Sequence, residues 1–315
     1  MPLAWVAPPR ARAAESDPWP VRPLRLVVGF PSGSSADEIA RTLADPLAAA
    51  LGQPVLVDNR PGYGGLLAAR LIAHSDDDHT AALLLNLQLT VAPWLHAEVG
   101  YDPARDLVPV GVAASTPLAL CASPDVSWRS PAWWRSLAKL ADGLRYGSPG
   151  VGTPFHLAME WLKAQTGWPL EHVAYPGNPQ VINALLNGEV QLALLPPALV
   201  APLWRVAKLP VLAGTAPGIG ALLPGVLDLQ RLGVINAAYD HWYALVAGRA
   251  WSAAALLRLG RALRQTLRQP AVQAALQRQG WLPGLGDSAA LQRRMALLTQ
   301  QLRPLLERHP SWRLP

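Results

Sequence analysis

A single cysteine, Cys121, stands in the 315 residues, so the chain can hold no internal disulfide and no zinc site built on thiolates. Lysine is almost as scarce. Lys139, Lys163 and Lys208 are the only lysines among 27 basic residues, and none follows a glycine, which excludes a phosphate-gripping P-loop. Charged residues are 15% of the chain against 51% hydrophobic, a balance that excludes a disordered chain or a coiled coil. Long apolar runs are missing as well. The nearest, Leu192 to Trp204, is cut by Pro196, Pro197 and Pro202 and falls short of the roughly 18 residues a spanning helix needs. The net charge of +6 is nearly all arginine, and without aromatic platforms or a reading helix it does not point to nucleic acid.

What is plentiful is punctuation: 25 Gly and 32 Pro divide a chain long enough for about two domains into many short elements. Leu24–Phe30 reads as a buried strand, Pro31–Ser34 as a turn, and Ser35-Ala36-Asp37-Glu38 as a capping box that opens a helix. Ile39, Leu43, Leu47 and Leu51 mark that helix's buried face, and Gly52 ends it. Strands at Val55–Val57 and Ala82–Asn86, with a helix at Leu66–Ile72 between them, continue a parallel-sheet grammar. It restarts at Gly143–Ser148, with Thr153 capping a helix that has Pro154 in its first turn, then a strand at His172–Tyr175, a helix at Asn178–Leu186, and strands at Val190–Leu195 and Leu209–Ala213. Val108–Val112 and Leu118–Ala122 are the expected crossings between halves, and the last quarter reads as helical.

Ligands of open α/β sheets sit beyond the carboxyl ends of the strands, where loops enter helix N-termini. Two such loops, Pro31–Ser35 and Ser148–Thr153, are rich in Gly and Ser, and their N–H groups make each a small anion receptor. Facing one another, they would grip a small acid. At the N-terminus, the apolar patch Leu3–Ala7 and the small-x-small sequence Ala11-Arg12-Ala13 suggest a clipped or mis-started secretion signal, with a disordered Pro-rich tail as the alternative.

Several further segments carry a resemblance. They include Trp19-Pro20, Pro23–Val28, Phe30-Pro31-x-Gly33-x-x-x-Asp37-x-x-Ala40-Arg41, Gly52–Val55 and Asn59-Arg60-Pro61-Gly62-x-Gly64-Gly65. Tyr101-Asp102-Pro103-x-x-Asp106-Leu107-x-Pro109-Val110, Tyr146-Gly147-Ser148-x-Gly150-x-Gly152-Thr153-x-x-His156-Leu157, His172-Val173-x-Tyr175-x-Gly177 and Ala184-Leu185-Leu186-x-Gly188-x-Val190 follow in order. Together they span about Trp19 to Glu307, and the chain resembles the Bug family, the periplasmic substrate-binding proteins of tripartite tricarboxylate transporters.

The resemblance implies an α/β, two-lobed Venus-flytrap fold, each lobe a mainly parallel sheet flanked by helices. It implies a tail at 1–18, one lobe from 19–122 plus 243–315, and a second from 123–242. It further implies capture of a small organic acid without chemistry, for a membrane transporter or sensor, by a periplasmic monomer with no cofactor. Carried over by position, the ligand residues are Ser32, Gly33, Ser34 and Ser35 on one lobe. On the other they are Ser148, Gly150, Gly152 and Thr153, with Asn86 and Tyr175 as walls. The chain departs from the family at Ser34, which puts a side chain where the loop usually has bare backbone, at Ala36, in Asp76–Thr80, and in the apolar Asn86–Leu89.

Rival readings attach to particular residues. Gly150–Phe155 nearly spells a dinucleotide fingerprint but has Phe155 at the last small position. His74–His79 holds three carboxylates between two histidines; a solvated acidic turn is the expectation and a divalent cation the alternative. A hydrolase would need Ser148, His156 and an aspartate to converge without a G-x-S-x-G elbow, so no catalytic residue is assigned. Arg258, Arg261, Arg264 and Arg268 read as a solvated helix face, and Trp133-Trp134 as an anchor. The alternatives to solute binding are a scaffold that has lost its ligand, or an α/β enzyme such as a hydrolase.

Overall fold

The structure, a computed structural model, describes residues 19–125, 133–137, 144–284 and 287–314; the tail expected at 1–18 lies outside them. Eleven strands form two sheets in these residues. The first contains β1 (Leu24–Val28), β2 (Val55–Asn59), β3 (Thr80–Leu85), β4 (Val108–Pro117), β10 (Asp240–Ala247) and β11 (Leu282–Pro283), ordered β11-β4-β10-β3-β1-β2. The second contains β5 (Ala119–Ala122), β6 (Leu144–Ser148), β7 (Leu170–Ala174), β8 (Leu192–Leu195) and β9 (Val211–Gly214), ordered β7-β6-β8-β5-β9. Only Leu118 separates β4 from β5, so a nearly continuous strand passes from one sheet to the other.

The parallel grammar holds where helices intervene. β1 runs parallel to β2 and β3, and β6 to β7 and β8. These strands are apolar because helices cover their faces: Val27 and Val28 are fully buried, as are Leu83 and Leu84. Elsewhere the sheets are antiparallel, because the crossing segments return along their neighbours. β10 pairs antiparallel with both β3 and β4, and β5 with β8 and β9. Strand β10 escaped the sequence reading, and the border expected at 242/243 falls inside it.

Most helices sit where the pattern puts them. Helix Ser35–Leu51 buries Ile39, Leu43, Leu47 and Leu51 and ends at Gly52. Its cap, however, is Ser34 rather than Ser35. The Ser34 hydroxyl accepts from the Asp37 N–H at 3.4 Å, so the third helical residue is Asp37 and not Glu38. Thr153 caps helix Pro154–Thr166 as expected. In helix Ala253–Leu267, Leu259, Leu263 and Leu267 face the core while Arg258 and Arg261 are exposed. Trp133 is buried and packs at 5.8 Å against both Trp134 and Trp168, an anchor as expected. The last long helix, Ser288–Arg308, packs on β4 and also on helix Pro154–Thr166, and so touches both halves. Among the described residues, no helix is long and apolar enough to cross a membrane.

Candidate functional site

A cavity of about 380 Å³ lies between the carboxyl ends of β1 and β3 and the loop after β6. From the first half it is walled by Phe30, Tyr63, Gly64, Leu66, Leu85, Leu87, Gln88, Ala92, Leu95 and His96. Val151, Gly152, Thr153 and Pro154 enter from the second half, and Leu314 from the C-terminal segment. Among the described residues, no Asp, Glu, Lys or Arg lines it. Burial, with Arg70 nearby, holds His96 below its usual range, so the wall carries no formal charge at neutral pH. An anion here has the Val151 N–H, the Tyr63 hydroxyl and the positive end of helix Pro154–Thr166 to meet it, with the Thr153 hydroxyl beside them.

Of the ten residues nominated from sequence, two line this cavity: Gly152 and Thr153. The first loop turns inward upon itself. The Gly33 N–H donates to Asp37 Oδ2 at 2.9 Å, and the Ser32 hydroxyl reaches the same oxygen at 3.4 Å. The Arg41 guanidinium beside Asp37 and the donors of Gly33 and Asn59 hold that carboxyl down to about 2, against the opposing effect of burial. An internal carboxylate thus already occupies the receptor expected in the Pro31–Ser35 loop. Ser32, Gly33 and Ser35 remain exposed, outside the cavity wall.

The second loop is braced from beneath. Ser148 is buried, and its Oγ lies 2.7 Å from His172 Nε2 and accepts from the Gly150 N–H at 3.2 Å. The Thr153 hydroxyl donates to the Gly150 carbonyl at 2.7 Å, and the Gly152 N–H donates to His156 Nδ1 at 3.3 Å. The serine's partner is therefore His172, not the His156 that a hydrolase reading had paired with it. Ser148 lies outside the cavity wall, and its hydrogen bonds shape the loop. His156 and His172 are tilted rings 4.5 Å apart. Burial, with His172 alongside, lowers His156 to about 4, so both rings are neutral near pH 7.

The two wall residues expected outside the loops also have structural tasks. Asn86 is fully buried, accepts from the Leu87 N–H at 3.0 Å and donates to the Asp240 carbonyl at 3.3 Å. Tyr175 lies against Gly147 and reaches Glu189 at 3.5 Å.

Gln88 was not nominated, yet it does more at the cavity. Its amide accepts from Leu85 N–H at 2.8 Å and donates to the Gly64 carbonyl at 2.6 Å, tying the Asn59–Gly65 loop to the end of β3. Gly65 makes this possible, since it has φ +90° and a Cβ there would lie 2.0 Å from Gln88 Nε2. Gly65→Ala is expected to cost about 2 kcal/mol, through strain and the displaced amide, in denaturant unfolding. Unchanged stability would show that the loop tolerates another path.

The acidic turn spends its groups locally. Asp77 pairs with Arg22 at 2.6 Å, and His79 Nδ1 lies 2.6 Å from Asp78. His79 Nε2 accepts from the Val21 N–H at 3.2 Å. Asp77, Asp78 and His79 do cluster closely enough for a cation, but these bonds use them to anchor residues 19–22. A larger groove of about 1030 Å³, flanked by Trp94, Arg249, Met295 and Arg303, lies beside the first sheet and helix Ser288–Arg308. It takes no residue from either glycine loop.

A family model described as the tripartite tricarboxylate transporter family receptor matches residues 39–308. The chain belongs to this receptor family. A UPF0065 protein of Bordetella pertussis is 31% identical over 291 residues, covering 88% of this chain and 87% of its own length. Protein BugT of the same organism is 29% identical over 276 residues, covering 87% and 85%. Among solved structures, an R. palustris protein with adipate matches with TM-score 0.74 and 26% identity, over 93% of this chain and 98% of the other. MatC from Rhodopseudomonas palustris with bound malate matches with TM-score 0.66 and 25% identity, over 93% and 99%. A TctC solute-binding protein from Polaromonas, at TM-score 0.79 and 22% identity, has the same fold. The tripartite tricarboxylate transporter receptors and the Bug proteins are periplasmic binding proteins, so this chain is a solute-binding receptor of the two-lobed type.

Proposed function

We propose that the protein captures one small carboxylate in the cavity between its lobes and presents it, as a periplasmic monomer and without chemistry, to a tripartite transporter or a sensor. The observation that carries the reading is the shared cavity itself, walled by Gln88 and Phe30 on one side and by Val151–Pro154 at a helix N-terminus on the other. Adipate and malate in structural relatives support the carboxylate class. In this reading Gly152 and Thr153 touch the ligand, while Ser32, Gly33, Ser34, Asn86, Ser148, Gly150 and Tyr175 hold the frame and Ser35 does neither. The lobes divide at Leu118, between β4 and β5, and again just before β10. Ligand favours the closed arrangement through contacts made only there.

Thermal-shift measurement against malate, adipate and citrate tests the reading. A ligand at about 100 times its Kd stabilises the folded form by about 2.7 kcal/mol, which raises the melting temperature by several degrees. Thr153→Ala is expected to weaken the best ligand tenfold or so, equivalent to about 1.4 kcal/mol, and also to remove a helix cap. Ser35→Ala, on an exposed residue that is neither cap nor wall, is expected to change neither affinity nor stability. No shift with any carboxylate would contradict the proposal.

A further inference from the structure

The segment after the last long helix, His309–Leu314, touches both lobes. On the first side its backbone joins the chain that follows β3. The Leu314 N–H donates to the Leu95 carbonyl at 2.6 Å, and the Ala97 N–H donates to the Leu314 carbonyl at 3.3 Å. On the second side, the Trp312 ring meets His156 edge-on at 4.7 Å, and His309 stacks on Trp312 at 4.2 Å. His156 is the residue whose Nδ1 accepts the Gly152 N–H. The Leu314 side chain lies directly over Gly152, where an added Cβ would come within 3.1 Å of its Cδ1. Gly152 also has φ +78°, so two independent constraints keep that position bare.

We propose that His309–Leu314 is a third wall of the binding cavity and that Leu314 sets the length of the ligand it accepts. The proposal rests on the cavity being the ligand site. A ligand whose carboxylate lies at the second-lobe loop must extend its carbon chain towards the apolar remainder of the wall. Leu314 is the part of that wall that no βα loop fixes: backbone bonds, the Trp312 anchor and a bond from the Arg313 guanidinium to the His96 carbonyl at 3.4 Å hold its segment. Its side chain can therefore change size without disturbing a strand or a helix. Shortening it lengthens the space for methylenes, and enlarging it removes that space.

The test is binding of succinate, glutarate, adipate, pimelate and suberate to the wild type and to Leu314→Ala, Leu314→Phe and Arg261→Ala, read by titration calorimetry. Leu314→Ala keeps the backbone bonds and is expected to move the preferred acid to a longer member, with about a fourfold gain for each methylene newly buried. Leu314→Phe is expected to move it to a shorter one. Arg261 is exposed on helix Ala253–Leu267 and outside the wall, so Arg261→Ala should leave the order unchanged. The same preferred acid in all four proteins would overturn the proposal and leave the cavity reading intact. Binding that appears only after the segment is removed beyond Arg308 would overturn it differently, because the segment would then be a plug. Binding to none of the proteins would overturn the cavity reading and this proposal with it.

Discussion

Asp37→Ala is expected to destabilise the protein by about 2–3 kcal/mol, because it removes the centre of a closed polar cluster rather than a surface charge. The carboxylate is almost fully buried and accepts from the Arg41 guanidinium at 2.9 and 3.0 Å, from the Asn59 amide at 3.0 Å and from the Gly33 N–H at 2.9 Å. Asn59 in turn donates to the Phe30 carbonyl at 3.0 Å, so the cluster fixes the end of β1, the end of β2 and the first helical turn together. Phe30 belongs to the cavity wall, and the damage reaches the site through it. Asp37→Asn keeps the size but replaces one acceptor oxygen with donors facing Arg41 and Asn59, and should recover little. Denaturant unfolding checks this. A loss below about 0.5 kcal/mol would mean that Asp37 is an ordinary surface carboxylate and that the Pro31–Ser35 loop is free to receive an external anion.

Acidification from pH 7 to pH 4.5 is expected to lower the melting temperature by about 10 °C. Burial pushes both His156 and His241 down to about 4, and His172 downward as well. A histidine whose folded pKa is depressed is neutral in the folded state, while the unfolded chain takes up its proton near 6.5. Its contribution is complete above about pH 6.5, falls as pH drops below that value, and is exhausted below the folded pKa. For His156 and His241 this removes on the order of 2–3 kcal/mol each by pH 4. His241 sits among Phe155, Tyr243 and Trp281, with ring separations of 6.1, 5.9 and 5.8 Å, and its Nδ1 has no hydrogen-bond partner among the described residues. His241→Phe should therefore be tolerated and should flatten the pH dependence by roughly half. The Asp37 carboxylate acts in the same sense but only at lower pH, since its stabilisation is lost as pH falls from about 3.8 through about 2. A melting temperature constant from pH 7 to 4.5 would contradict the buried, neutral assignment of these rings.

The sheets and most helix ends were legible because they depend on local signals. Apolar runs bounded by Gly and Pro gave the parallel strands, while Thr153-Pro154 and Gly52 marked helix ends. Strand β10 escaped because a buried antiparallel strand reads as a short apolar run with no flanking crossover helix, and the adjoining Arg- and Leu-rich stretch drew the whole quarter towards a helical reading. At the cavity, the second loop lies in the wall as its sequence suggests, whereas the first lies outside it. Ser and Gly in a βα turn offer donors, but whether those donors are free depends on Asp37, four residues beyond Gly33, folding back on them. The sequence did contain that signal: Ser34 and Asp37 have capping-box spacing, one residue earlier than the box chosen. Gln88 and Leu314 could not be found the same way. Neither type is diagnostic, and their positions in the wall arise from contacts with Gly64 and Gly152, distant in the chain.

The most direct test is a crystal structure of the protein with the carboxylate that stabilises it best. The expected result is the ligand in the 380 Å³ cavity, its carboxylate against Val151–Thr153 and its carbon chain towards Leu85, Leu87 and Leu314. A ligand found instead in the groove beside Trp94 and Met295, or gripped by the exposed Ser32–Ser35 loop, would contradict it.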